Sequence, residues 1–339
     1  MTRFEEEIRS QGTILRARAS QGAEEAGRAA AKWSGVNHLV VAARGSSDHA
    51  AIFFEYLAGQ ELGMLVALAA PSLYEGSHQM KLVGSGVLAI SQSGLSPGMV
   101  AVVGQAQSQG RATVAVTNDA SSPLARASDT TIELRAGPER AIASSKTFSA
   151  TWHALAQLVE AMKGQPLEGM AQLPDLVDRV AAWALATPLP LHLLDVAGLT
   201  VIGRGVGYAV ASEISLKVRE VTGLRAESYA APDYLHGPIG ADGVGCSAVV
   251  VVTDELSDDV LEVLLRGCRT SGMSTVLIRP PSRAAHAADF EIVLPHDAPN
   301  WSLGLCAVIV GQALALRLGE ARGRPIDTAP GLSKITLSA

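Results

Sequence analysis

Two turns concentrate the side chains and backbone groups that can hold an anion: Ala43-Arg44-Gly45-Ser46-Ser47-Asp48 and Ser91-Gln92-Ser93-Gly94-Leu95-Ser96-Pro97. Each follows a short apolar run that reads as a strand and precedes a segment that reads as a helix. A turn of this kind offers backbone N–H groups, hydroxyls and the positive end of a helix dipole to one anion. Two of them in one domain predict a cradle for a phosphorylated small molecule. The plain alternative is helix capping, worth about 1 kcal/mol per Ser. Capping accounts for one hydroxyl per turn. It leaves unexplained a loop that carries Ser91, Gln92, Ser93 and Ser96 together.

A second group could move protons. Glu213, Lys217 and Glu220 stand at i, i+4 and i+7, on one face of a predicted helix. On periodicity alone the favoured reading is a surface ion-pair ladder worth tenths of a kcal/mol. His236 lies in His236-Gly237-Pro238, in a loop rich in Ala, Pro and Asp. Lys334 lies in Leu332-Ser333-Lys334-Ile335-Thr336, close to the end of the chain. Alone, a loop His is polar surface and a tail Lys is solvated. The run Gly203-x-Gly205-x-Gly207 opens a helix after a strand, but the spacing is not that of a dinucleotide fingerprint. No acidic residue stands where a ribose would need one, so a tight turn with close helix–strand packing is expected there.

These residues need elements to position them. Residues 4–33 carry a helical rhythm (Phe4, Ile8, Leu15, Ala19, Ala23) with charges outside, which predicts an N-terminal helix or helix pair. Strands are expected at 39–42, 65–68, 86–90, 113–116 and, at an edge, 130–134. Helices are expected at 50–62, from Pro97, and at 149–162. After a Gly/Pro-bearing stretch at 163–173 and a helix near 176–185, the rhythm repeats. Strands fall at 199–202, 247–252, 275–278 and 290–294, with helices at 208–222, 258–270 and 303–318. Almost uniformly apolar strands alternating with helices imply parallel sheets covered on both faces. The fold class is therefore α/β, a tandem of two doubly wound parallel-sheet domains with ligands at the strand carboxyl ends. The expected boundaries are an N-terminal helical segment at 1–35, domains at 36–165 and 175–325, and a C-terminal tail at 326–339.

Composition agrees. The chain has 339 residues, of which 48% are hydrophobic and 18% charged, with 33 glycines and a net charge of -6. That charge supplies no basic surface for nucleic acid. Cys246, Cys268 and Cys306 are scattered and odd in number, which points to reduced thiols rather than a disulfide framework or metal site. The acidic start, Met1-Thr2-Arg3-Phe4-Glu5-Glu6-Glu7, lacks an apolar export core. No apolar stretch is expected to reach the ~20 residues of a membrane span, the runs being broken by Gly, Pro or charge. A cytoplasmic protein without membrane partners is expected.

Taken together, the motifs resemble the sugar isomerase (SIS) domain family, and most closely the isomerase half of glucosamine-6-phosphate synthase and its deaminase-like relatives. The resemblance rests on an ordered set. It runs through Arg44-Gly45-Ser46-Ser47, Ser91-Gln92-Ser93-Gly94 and Ala143-Ser144-Ser145-Lys146-Thr147-Phe148. It continues with Glu213-Ile214-Ser215-Leu216-Lys217-Val218-Arg219-Glu220, Ala226-Glu227-Ser228-Tyr229-Ala230-Ala231, His236-Gly237-Pro238 and Leu332-Ser333-Lys334. It implies flavodoxin-like domains, and Ser47, Ser91, Gln92, Ser93 and Ser96 as ligands of phosphate and sugar hydroxyls. It implies Ala143 and Ser144 as sugar contacts and Lys217 as support for the site. Glu220 becomes the acid/base that moves a proton between C1 and C2. His236 becomes the ring-opening residue, contributed across the interface of a homodimer. Lys334 becomes the tail lysine that closes over the open-chain sugar. The implied ligand is a sugar phosphate, and no cofactor or metal is implied.

The departures narrow the expectation. The synthase carries an N-terminal glutaminase with a cysteine after the initiator Met, whereas position 2 here is Thr and 339 residues leave no room for that domain. Arg44 replaces the synthase cysteine and Ser96-Pro97 its Glu-Thr continuation, both in the manner of the stand-alone branch. Gly98 stands where that branch often has Asp. The expected activity is isomerising deamination of glucosamine 6-phosphate to fructose 6-phosphate and ammonia. The alternatives are a deglycase for 6-phosphorylated fructosamines and a non-enzymatic sugar-phosphate sensor.

Overall fold

The structure, a computed structural model, describes residues 1–331 apart from Ser77, Leu189, Asp254 and Pro330. The chain opens on two helices, α1 (Arg3–Arg9) and α2 (Gln11–Lys32). There follow β1 (His38–Ala42), α3 (Ser46–Leu62), β2 (Leu65–Leu68), β3 (Ser85–Ile90), α4 (Pro97–Ser108), β4 (Thr113–Thr117), α5 (Pro123–Ala127), β5 (Thr130–Glu133) and α6 (Lys146–Lys163). A second round contains α7 (Leu173–Ala186), β6 (Gly198–Gly203), α8 (Val206–Thr222), β7 (Arg225–Ala230), α9 (Ala231–Leu235), β8 (Cys246–Val251), α10 (Asp258–Thr270), β9 (Ser274–Arg279), β10 (Phe290–Val293) and α11 (Asn300–Ala321).

The chain forms two compact units. The first contains residues 13–139 and 146–170, the second residues 1–12, 140–145 and 171–331. Each holds one five-stranded parallel sheet, ordered β2-β1-β3-β4-β5 in the first unit and β7-β6-β8-β9-β10 in the second. This is the doubly wound order 2-1-3-4-5, whose ligand crevice lies outside the strand carboxyl ends where the order reverses. Central strands are buried on both faces, as in Ser85–Ile90 and Thr113–Thr117, which is why they read as continuous apolar runs.

The units repeat each other in detail. In the first, Asp129 Oδ2 accepts from Thr113 N at 2.8 Å and Thr113 Oγ1 at 2.9 Å, and Asp129 N donates back to Thr113 Oγ1 at 2.9 Å. In the second, Asp289 Oδ2 accepts from Thr275 N at 2.7 Å and Thr275 Oγ1 at 2.9 Å, and Asp289 N donates back at 3.0 Å. The same Thr–Asp bracket thus joins the fourth strand of each sheet to the entry of the fifth. In the first unit α3 and α6 pack through a stacked Phe53–Trp152 pair, with ring centroids 3.5 Å apart. In the second, α11 packs on α8 and α7.

Three expectations are corrected. The N-terminal helices do not keep all their charges outside. Glu7 is buried because its carboxylate accepts from Arg140 N at 2.6 Å and Ala141 N at 3.4 Å. Arg18 is fully buried, its guanidinium donating to Gln157 Oε1 at 2.9 Å and meeting His153 Nδ1 at 2.8 Å. Burial lowers the Arg18 pKa to about 10 and, with Arg18 beside it, holds His153 well below the ordinary histidine range. Helix α11 is long and apolar enough to cross a membrane, because Gly304 and Gly311 do not interrupt a helix as they would an apolar count. It is instead a core helix, with 94% of its apolar window buried. Finally, the edge strand β7 has no sequence forecast, since Arg225-Ala-Glu-Ser-Tyr-Ala carries no apolar run.

Candidate functional site

In the first unit both Ser turns lie where strands end and helices begin. Gly45 is the N-cap residue of α3, with φ 59 and ψ -135, and gives that helix no side-chain cap. Helix α3 starts at Ser46, four residues earlier than the apolar pattern suggests, so Ser46, Ser47 and Asp48 make up its first turn. Burial raises the Asp48 carboxyl, with His49 opposing. Ser96 is the N-cap residue of α4, again without a side-chain cap bond, and Pro97 occupies the first turn. Neither helix N-terminus is closed by its own hydroxyl, whereas α5 is capped by Ser122 accepting from Ala125 N at 3.2 Å.

The second turn is held rigidly. Ser91 N donates to Val116 O at 3.0 Å, Gly94 N to Ser91 O at 3.1 Å, Asn118 N to Gln92 O at 3.0 Å and Leu124 N to Gly94 O at 3.1 Å. Ser93 Oγ accepts from Leu95 N at 3.3 Å. Gly94 has φ +62, and a Cβ there would lie 2.1 Å from Ser122 Oγ. The loop therefore requires glycine for both conformation and space. Ser91 is buried, while Gln92, Ser93 and Ser96 are half-buried. The structure thus brings Ser91, Gln92, Ser93 and Ser96 onto one loop and Ser47 onto the first turn of α3, at the carboxyl ends of neighbouring strands β1 and β3.

In the second unit Glu213, Lys217 and Glu220 share a face of α8, and that face is not a surface. Lys217 is 1% exposed and Glu213 0%. Lys217 Nζ lies 3.4 Å from Glu213 Oε1 and 2.6 Å from Glu220 Oε2, and Glu220 alone of the three keeps 19% exposure. The exposed-ladder alternative is therefore excluded: one buried ammonium stands against two carboxylates. Buried charges persist only with close partners. The arrangement fixes the one carboxylate that retains access and leaves it able to exchange a proton.

His236 closes the C-terminus of α9 and is exposed. Its helix is anchored by buried Tyr234, whose hydroxyl donates to Asp242 Oδ2 at 2.8 Å, as does Thr200 Oγ1 at 2.8 Å. Ala143 is buried and Ser144 half-buried in the 140–145 segment. Glu7 holds the start of that segment, and Ile142 N donates to Asp327 O at 3.2 Å. The Asp327 carboxylate in turn accepts from Arg3 N at 3.0 Å and Phe4 N at 2.9 Å. Lys334 lies outside the described residues. The Gly203–Gly207 run is the expected tight turn: a Cβ on Gly203 would lie 2.0 Å from Gly207 O. Sequence reasoning missed the supporting acids Glu7 and Asp327. Their signal would have been a lone acid beside a helix start or a backbone turn, which is too common to single out.

Residues 34–161 match the SIS domain family. The chain carries an SIS domain there. A relative from Aeropyrum pernix, a glutamine–fructose-6-phosphate aminotransferase (isomerizing), is 32% identical over 338 residues, covering 91% of this chain and 52% of its own length. This SIS-domain chain spans about half the length of the curated relatives it matches. A Silicibacter pomeroyi protein described as a phosphosugar isomerase superposes with TM-score 0.83 at 28% identity, covering 96% of this chain and 99% of that one. Thermotoga maritima glucosamine-6-phosphate deaminase shares the fold, with TM-score 0.75 at 17% identity over 99% of this chain and 100% of that one.

Proposed function

We propose that the chain binds an aminohexose 6-phosphate and deaminates it by isomerisation, converting glucosamine 6-phosphate to fructose 6-phosphate and ammonia. The observation that carries the reading is the buried Lys217 ammonium 2.6 Å from the Glu220 carboxylate, which keeps 19% exposure. It is a fixed acid/base on an SIS-family scaffold. In this reading Ser47, Ser91, Gln92, Ser93 and Ser96 hold the phosphate and sugar hydroxyls, and Ala143 and Ser144 contact the sugar. His236, from the neighbouring subunit of a homodimer, moves the anomeric proton to the ring oxygen and opens the ring. Glu220 takes the proton from C2 and returns it to C1. With one N–H proton passing to O1, the C2 amine becomes an imine and C1 an alcohol; water adds to the imine, releasing ammonia and leaving the C2 ketone. Lys334 closes over the open chain. The amine is chosen because the curated relatives are named for amino transfer to fructose 6-phosphate; the reverse direction, with water as acceptor, is deamination.

The purified chain, given glucosamine 6-phosphate, is expected to release ammonia and form fructose 6-phosphate in equal amounts. No ammonia at saturating substrate overturns the deaminase assignment. Mixing inactive Glu220→Gln and His236→Asn proteins tests the shared-subunit role. Recovered activity is expected, and its absence from a mixture shown to exchange subunits removes His236 from the neighbour's site.

A further inference from the structure

Of the thirteen residues in the two Ser turns, Arg44 is the one cation. Its Nη2 donates to Glu75 Oε1 at 2.8 Å, and the two side chains are 40% and 30% exposed. Gly98, the second residue of α4, fixes where this pair rests. A Cβ on Gly98 would lie 2.2 Å from Glu75 Oε1 and 3.2 Å from Arg44 Nη2. The guanidinium therefore lies on the first turn of α4, two residues past Ser96, while its own backbone leads directly into Gly45, Ser46 and Ser47. One side chain spans both turns. The uncapped start of α4 has a carboxylate and a guanidinium laid against it, and the missing Cβ of Gly98 is what admits them.

We infer that Arg44 is the phosphate-neutralising ligand of this site and that Glu75 is its positioning residue. The inference rests on the sugar-phosphate reading above and adds to it the group that reads the phosphate's charge. Hydroxyls and backbone N–H groups can ligate a phosphate, but they leave its negative charge uncompensated. A guanidinium offers a planar fork that matches two phosphate oxygens. Glu75 accepts from Nη2 of that fork and holds the side chain across α4.

The test is calorimetric titration of the full chain with fructose 6-phosphate and, separately, with unphosphorylated fructose, at several salt concentrations. Arg44→Gln is expected to weaken fructose 6-phosphate binding by about tenfold to a hundredfold. It should also flatten the salt dependence and leave fructose binding unchanged. Arg44→Lys, which keeps the charge but not the fork, should lose less affinity and keep the salt slope. Glu75→Ala should weaken fructose 6-phosphate binding by a smaller factor, and should add nothing in the Arg44→Gln background, since it acts through Arg44. Unaltered affinity and salt slope in Arg44→Gln, or an equal loss for fructose, overturn the inference alone. A wild-type chain that does not bind fructose 6-phosphate overturns the reading beneath it.

Discussion

After β1 the chain runs Arg44-Gly45-Ser46-Ser47 into α3; after β6 it runs Arg204-Gly205-Val206-Gly207 into α8. The two N-cap glycines adopt the same conformation, φ 59 and ψ -135 for Gly45 and φ 60 and ψ -129 for Gly205. The ends differ. In the second unit Val206 N faces the Glu255 carboxylate at 3.4 Å, and Asn300 Nδ2 donates to the same oxygen at 2.7 Å. In the first unit hydroxyls line the helix start. A helix N-terminus favours an anion: α8 meets the Glu255 carboxylate from a distant turn, whereas α3 carries Asp48 in its own first turn beside Ser46 and Ser47. The helix bodies diverge as well. Helix α3 buries Phe53, Phe54 and Leu57, whereas α8 buries Glu213 and Lys217. One duplicated plan has acquired a hydroxyl-bearing helix start in the first unit and a buried carboxylate–ammonium cluster in the second.

The comparison breaks most visibly at Glu220. Glu220→Gln is expected to lower turnover of glucosamine 6-phosphate by about 10²- to 10⁴-fold and to leave fructose 6-phosphate affinity near wild type. Turnover that survives the change would remove α8 from the chemistry. Next comes Lys217→Met, which strands Glu213 in the core and should cost about 3–5 kcal/mol in chemical denaturation. The double variant Glu213→Gln/Lys217→Met should recover most of that loss. A single variant as stable as wild type would mean that the buried cluster is not coupled.

In the first unit, Gly94→Ala places a side chain at a positive φ and against Ser122. It should cost about 1–3 kcal/mol of stability and weaken sugar-phosphate binding measurably, since it displaces the Ser91–Ser96 loop. Unchanged binding would detach that loop from the ligand. The smallest effect is expected at Glu255→Gln, about 1 kcal/mol of stability with fructose 6-phosphate affinity unchanged. A change in affinity there would show that the two helix starts are not divided as described.

Most of the scaffold could be read in advance because apolar period and turn chemistry coincide. Leu65–Leu68 and Asp258–Thr270 fall as their pattern predicts. What could not be read is instructive. Residues 46–49 are polar, so their helical turn was hidden behind a Ser motif that looked like loop. β7 is an edge strand with few buried side chains. The face of Glu213 and Lys217 could not be settled from i, i+4 spacing, because solvent ladders and buried clusters share that spacing; the burial of both side chains decides it. Glu7, Glu25 and Arg18 turned inward for the same reason. Their partners are distant in sequence: the 140–141 backbone, Arg135, and His153 with Gln157. Local charge rules do not see such partners.

Asp327 receives the first turn of α1 through its carboxylate and the 140–145 segment through its carbonyl. The amino end of the polypeptide and the segment that carries Ala143 and Ser144 are thereby tied to one residue. Any domain or tag spliced ahead of Met1 would emerge close to Asp327, and so close to the residue that holds the 140–145 segment.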